Sequence, residues 1–304
     1  HSVGVRTPRP LPSSTATSFT TRAAGSLGIT PRRLRNADLV QPLRGVNVLA
    51  QHNINLTELC RTVQSRLIPT ARFSGITAAI LRGVPLPLPI EQSRDLHIAV
   101  QRPHRAPQGL GMRGHSYLHQ PGDTVVYNGL RISSPERTWC ELAATLPLLD
   151  LVAAGDFLIH HRRPFTTRQR LMDASGRFAG RRGFQKFAQA LELLNERSES
   201  PQESKLRVIL LQGGIITTAN LPIVTTGGFR YRADLAIQSH GVLIEYQSDK
   251  YHLEAAARRR DMTRKSRLEA DGWYIFELNA DDLRDPAELC ARLRLVLARR
   301  EPRP

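Results

Sequence analysis

Residues 234–252 read DLAIQSHGVLIEYQSDKYH. Two short apolar runs flank Ser239-His240-Gly241, a turn signal, so the stretch predicts two antiparallel strands. It also carries Asp234, Glu245, Gln247 and His252, side chains that buried strands normally exclude. Strand alternation sorts them. In the first strand Tyr231, Ala233, Leu235 and Ile237 share one face, and Arg232, Asp234 and Ala236 the other. In the second, Val242, Ile244 and Tyr246 share one face, and Leu243, Glu245 and Gln247 the other. If the acid-bearing faces pair, Asp234, Glu245 and Gln247 gather on one sheet surface. Two neighbouring carboxylates raise one another's pKa. A divalent cation removes that conflict, since Mg2+ takes one or two carboxylates, several waters and substrate phosphate oxygens. Such an ion activates water against a phosphodiester.

Outward from this hairpin, SESPQESKLRVILLQGG predicts a helix. Ser200 and Glu203 form its capping box, Pro201 takes the first helical position, and Gly213-Gly214 ends it. Downstream, YHLEAAARRRDMTRKSRLEADG predicts a long basic helix and WYIFELN a third strand. A last helix opens at Asp285-Pro286. The order helix, strand, strand, helix, strand, helix makes 197–304 a mixed α/β domain.

An acid on one strand followed by Glu-x-(Lys or a substitute) on the next resembles the PD-(D/E)xK nuclease superfamily. More closely, the segment resembles the very-short-patch-repair-like endonuclease family. The matching positions are Glu203, Asp234, IEYQSDKYH (244–252), Asp261 with Arg264, and Gly272-Trp273. The resemblance covers about 197–300. It implies a restriction-endonuclease-like mixed sheet flanked by helices and a DNA endonuclease dependent on Mg2+ (or Mn2+). Asp234 and Glu245 would hold metal, Gln247 would position water, His252 would serve as acid–base, and Glu203 would complete the catalytic set. Arg258, Arg259, Arg260 and Arg264, with Arg232 and Lys250, would hold the DNA backbone. One departure matters: Gln247-Ser248 stands where relatives commonly have an acid followed by Gly. An amide orients water but cannot take its proton. Each residue also has a plain structural role open to it: Glu203 as a cap, Asp261 and Arg264 as an i, i+3 ion pair.

The rest of the chain is less explicit. It has 304 residues and 43 Lys plus Arg against 27 Asp plus Glu, a formal net charge of +16. That balance favours a polyanion through counterion release, although a GC-rich genome also inflates Arg. Three scattered cysteines, Cys60, Cys140 and Cys290, signal neither a zinc ribbon nor a disulfide framework and fit a reducing cytoplasm. There is no apolar run of about 18 residues, so no membrane is expected as partner. HSVGVRTPRPLPSSTATSF lacks the apolar segment of a signal peptide, and its initial His is expected of a trimmed or tagged N-terminus.

Residues 1–17 read as a disordered lead. Residues 18–50 predict a winged helix-turn-helix: a small-residue helix, a second helix capped by Thr30 with Pro31 next, and a hairpin from LVQPLRGVNV. Arg32, Arg33 and Arg35 would then face DNA. Residues 51–196 read as an α+β region, with strands at 95–100 and 125–132, an Asn128-Gly129 turn, and a helix opened by Ser134-Pro135. His160-His161-Arg162-Arg163 reads as a complement to a helix C-terminus. The clearest domain boundary lies near 197. Over 45–195, ILRGVPLP and GLRISSPERTWCELA resemble the abortive-infection (AbiE) type IV antitoxin family. That resemblance implies operator binding through 30–35, with a cognate toxin or a homodimer as further partner.

Two function classes follow: a metal-dependent nuclease, and a DNA-binding regulator whose nuclease fold is inactive. The first expects the Asp234 and Glu245 carboxylates within about 4–5 Å around a hydrated metal. The second expects one of them tied up by Lys250 or an Arg.

Overall fold

A computed structural model describes residues 9–118, 120–247 and 255–302, with side chains of the basic helix described from Arg259 onward. The protein is a mixed α/β chain that divides into two compact units, His1–Ala144 and Thr145–Pro304.

The first unit opens with β1 (Ser18–Thr20), α1 (Thr21–Ser26), β2 (Leu39–Leu43) and β3 (Val46–Leu49), the strands ordered β1-β3-β2. Thr20 caps α1, its hydroxyl accepting from the Ala23 amide at 3.0 Å. The predicted hairpin is present as β2–β3. The predicted second helix is not: 33–35 is a single 3-10 turn. Leu34 is buried with Phe19, Ala24, Ile29 and Leu39, which pins the turn inward. Arg33 donates to both carboxylate oxygens of Asp38, at 2.8 and 2.6 Å. Of the three arginines assigned to DNA, only Arg32 and Arg35 are exposed, and no helix presents them.

The unit continues with α2 (Leu56–Gln64), β4 (Arg72–Phe73), α3 (Gly75–Leu81), α4 (Leu88–Glu91), β5 (Leu96–Gln101), β6 (Gln108–Gly109), β7 (Met112–Tyr117), β8 (Thr124–Tyr127), β9 (Leu130–Ser133) and α5 (Pro135–Leu142). The strands form one sheet, ordered β6-β7-β5-β4-β9-β8. Phe73, Ile98, Leu130 and Ile132 pack against Cys60 and Val63 of α2. Asn128 and Gly129 both take positive φ, 49° and 79°, as a two-residue hairpin turn requires. Strand β7, MRGHSY, has no apolar alternation and was not expected; it forms because β5 offers it a six-residue parallel register.

Charges are buried inside this unit. Arg72 is 1% exposed; its Nε donates to Ser133 Oγ at 3.0 Å, and an Nη donates to the Tyr117 hydroxyl. The Glu141 carboxylate accepts from the Gly75 amide (2.7 Å), Ser133 Oγ (3.0 Å), Tyr117 Oη (3.0 Å) and Arg137 Nε (2.8 Å). Asp123 lies 3.9 Å from Arg72 and 3.7 Å from Arg137. Burial alone would raise the Glu141 carboxyl, yet Arg137 and Arg72 hold it below its ordinary value.

The second unit comprises α6 (Leu148–Leu158), α7 (Arg168–Phe178), α8 (Phe184–Glu192), α9 (Pro201–Gln212), β10 (Thr218–Val224), β11 (Arg230–Ile237), β12 (Val242–Tyr246), α10 (Ala255–Ala270), β13 (Tyr274–Leu278) and α11 (Pro286–Ala298). Its sheet is ordered β10-β11-β12-β13: antiparallel, antiparallel, then parallel across the α10 connection. Leu235, Ile237, Val242, Ile244, Phe276 and Leu278 pack with Leu206, Ile209 and Leu210 of α9 and Leu289 and Leu293 of α11. On the other face Ala236 and Leu243 meet Leu268 of α10. Strand β10 was missed from sequence. Its run TANLPIV has a proline and an Asn220 at φ 53°, features that an edge strand tolerates.

The boundary expected near 197 falls instead between 144 and 145. Polar ties explain the shift. Asp156 of α6 is 1% exposed and pairs with Arg207 of α9 at 3.0 Å, and Asp150 pairs with Lys205 at 2.6 Å. Removing α6 would leave cations on α9 without their carboxylates.

Candidate active site

The hairpin register decides the site. Leu235 pairs with Ile244, so Asp234 falls opposite Glu245, one step beyond the last paired residues. Asp234 Oδ2 accepts from the Tyr246 amide at 3.5 Å. Burial raises the Asp234 carboxyl, and the Glu245 charge adds to that rise against the Tyr246 amide and Arg264. Glu203 joins from α9. Ser200 Oγ accepts from the Glu203 amide at 3.1 Å, the expected cap, but the Glu203 carboxylate reaches the amide of Glu199 (3.1 Å), one residue before the cap. Glu203 is 8% exposed, and its carboxyl is raised by burial and by the charge of Asp234. Asp234 is thus the shared member of a chain of three carboxyl groups: Glu203, Asp234 and Glu245.

Glu245 is 6% exposed and is not alone. Arg264 of α10 grips it with both terminal nitrogens, at 2.6 and 2.5 Å, and reaches Asp261 at 3.0 Å. Its hydrogen bonds to the Glu245 carboxylate raise the Arg264 guanidinium above its ordinary value. Asp261 and Arg264 are therefore more than a helical ion pair, because they complete a three-residue link from helix to strand. This arginine–carboxylate fork is the feature that the sequence reading tied to an inactive site.

Gln247 takes the face expected of it but is engaged elsewhere. Its Nε2 donates to Glu277 Oε1 at 2.7 Å, and its backbone amide donates to Leu278 O at 2.6 Å. Lys265 also reaches Glu277 and lies 3.4 Å from Asp261. Lys265 lies within the stretch that the sequence predicts as a long basic helix. Its helical phase, one residue from Arg264 and four from Asp261, could have shown that it turns toward the sheet.

The remaining assignments separate. Lys250 and His252 lie outside the described residues, as does the side chain of Arg258. Arg259 and Arg260 are exposed on α10. Arg232 is exposed on β11 but forks onto Glu199, with one bond of 2.6 Å. Among the described residues, no group of three or more His, Cys, Asp or Glu side chains is set to enclose a metal. The donor set present, two hard carboxylates opposite one another on adjacent strands, fits Mg2+ with its retained waters rather than a protein-only cage. Asp234 and Glu245 would hold the ion, provided Arg264 yields part of its fork. The three cysteines are buried and free, and burial pushes the Cys60 thiol up to about 12.

Comparison with known proteins gives little to carry over. No protein-family model matches the chain. It is similar to the uncharacterized protein MT2308 of Mycobacterium tuberculosis strain CDC 1551 / Oshkosh and to the uncharacterized protein Rv2248 of strain ATCC 25618 / H37Rv. Each is 30% identical over 168 residues, 55% of this chain and 61% of the relative. The chain thus matches about three fifths of the length of these relatives. Among solved structures it is similar to the RV2827C protein from Mycobacterium tuberculosis at a TM-score of 0.41 and 16% identity, over 68% of this chain and 83% of that one. A likeness at that level transfers no residue.

Proposed function

We propose that the second unit is a metal-dependent DNA endonuclease, acting in the cytoplasm and built on Asp234, Glu245 and Glu203. The observation that carries this reading is the excess of carboxylate at the hairpin. Burial and a neighbouring carboxylate raise both Glu203 and Asp234, and among the described residues only Glu245 of the three has a cation in contact. Groups perturbed in this way mark sites where charge is needed for chemistry. A bound Mg2+ or Mn2+ would supply Lewis-acid polarisation of a phosphodiester and an activated water. The residues would supply the rest. Asp234 and Glu245 bind the ion. Glu203, with its raised carboxyl, is the described group suited to take the proton of the attacking water as the P–O ester bond breaks. Gln247, held by Glu277, fixes the end of β12. Arg259 and Arg260 face the solvent where a backbone would pass.

A second reading has one observation in its favour. The fork of Arg264 on Glu245 and the amide at Gln247 suit a DNA-binding regulator with an inactive site. Against it, the element expected to read DNA in the first unit is one 3-10 turn with Arg33 committed to Asp38. Cleavage of supercoiled plasmid with Mg2+ or Mn2+ separates the two. Nicking by the wild type that is lost in Glu245→Ala and in Asp234→Asn supports the nuclease. Salt-sensitive DNA binding without nicking in all three supports the regulator.

A further inference from the structure

The loop after α6, His160-His161-Arg162-Arg163, was expected only to complement a helix end. The structure brings it to the candidate active site. Arg162 Nη2 lies 3.2 Å from Glu199 Oε1, on the same carboxylate that Arg232 grips with its fork. The loop is fixed from behind: the Arg162 amide donates to His160 Nδ1 at 3.3 Å, and the His161 amide to Glu196 O at 3.0 Å. Glu199 is fixed as well, since its own amide donates to the Glu203 carboxylate. The two guanidiniums remain open to solvent, Arg162 being 61% and Arg232 45% exposed.

Two features identify what these cations are shaped to hold. A carboxylate gripped by one planar fork and touched by a second guanidinium has the arrangement that arginines offer to a phosphate. Arg232 also sits two residues from Asp234 on the same face of β11, about 7 Å away along the strand. That step is comparable to the distance between neighbouring phosphates of one nucleic-acid strand. Arg230, exposed and two residues further, extends the row.

We propose that Arg162 and Arg232 form a clamp for the DNA backbone phosphate next to the scissile one, and that Glu199 is an internal stand-in which the phosphate displaces. Glu199 then lowers affinity for DNA in general and keeps two exposed cations from binding other anions. The clamp rests on the nuclease reading only for its orientation relative to the scissile bond.

The test measures anisotropy of a labelled DNA duplex with the full-length protein, in Ca2+ or EDTA, over a series of salt concentrations. Glu199→Gln keeps the backbone contact to Glu203 and frees the arginines. It should tighten binding several-fold and steepen the dependence of log K on log salt. Arg162→Ala, at an exposed position that the fold does not need, should weaken binding and reduce that slope by about one. The double variant should lose the gain made by Glu199→Gln. Unchanged affinity and slope in both single variants, or no DNA binding by the wild type, would overturn the clamp. Plasmid nicking is scored on the same proteins. Nicking by a wild type whose single variants bind alike removes the clamp and leaves the nuclease. Altered slopes without nicking keep the clamp and remove the nuclease.

Discussion

Each unit holds a cluster of buried charge, and the two clusters are built in opposite ways. In the first, Arg72 and Arg137 balance Glu141 and Asp123, and Glu141 has four donors within 3.0 Å. In the second, Glu203, Asp234 and Glu245 follow one another, and among the described residues Arg264 is the one cation in contact with the three, on Glu245. A network of balanced charges is complete without a ligand and specifies one packing of the sheet. A cluster with surplus charge of one sign is complete only with something added. That contrast, rather than burial, separates structural polar groups from candidate chemistry here.

The sharpest way to break the comparison is Arg72→Met. It leaves Arg137 as the one cation among those named for both Glu141 and Asp123 in the core of the first unit and should cost about 3 kcal/mol. The chain has two tryptophans, Trp139 on α5 and Trp273 before β13, one in each unit. Urea unfolding followed in Trp139→Phe and Trp273→Phe backgrounds should therefore place the loss in the first unit. A loss under about 1 kcal/mol would mean that the network is dispensable packing.

Arg264→Ala tests the other side. It leaves Glu245 buried without its cation, at about 2 kcal/mol because Arg264 is partly exposed. If the carboxylates take metal, Mg2+ should raise the Tm of this variant more than that of the wild type, since the ion then has no competitor. Equal Tm in EDTA and Mg2+ for both proteins would argue for a closed, inactive site.

The smallest effects are in pH. Asp234 and Glu203 titrate above their ordinary values in the fold, so the folded state binds protons more tightly than the unfolded chain. In EDTA, stability of the second unit should fall as pH rises from the ordinary carboxyl values, 3.8 and 4.5, through the raised ones. Asp156, which burial raises to about 6 despite Arg207, adds to the same slope. The Asp234→Asn difference isolates the site: the variant should gain on the order of 1 kcal/mol above that window and lose the Mg2+ response. The first unit should run the other way. Burial, with the charges of His115 and Arg113, lowers His97 from 6.5 to about 4. Its stability should fall as pH drops from 6.5 toward 4, and His97→Gln should flatten that limb. Thermal melts of the two tryptophan backgrounds read both slopes.

Much of the second unit was legible beforehand. Period-two alternation, the Ser200 cap and the Asp285-Pro286 opening placed α9, β11, β12, β13 and α11, and alternation set Asp234 and Glu245 on one face. What escaped had no local signal. β7 and β10 have weak alternation and owe their form to a neighbour's register. The second helix expected at 30–35 failed because burial of Leu34 and the Arg33–Asp38 pair overrode a correct capping pattern.

By itself, then, the sequence determined which acids share a sheet face and that a strongly basic chain surrounds them, because strand alternation and net charge are local properties. Only the tertiary structure decided which cation meets which acid. Among the arginines of α10, helical phase selected Arg264 for Glu245. Packing of α6 on α9 brought Arg162 to Glu199, a contact across 37 residues that no spacing rule reaches.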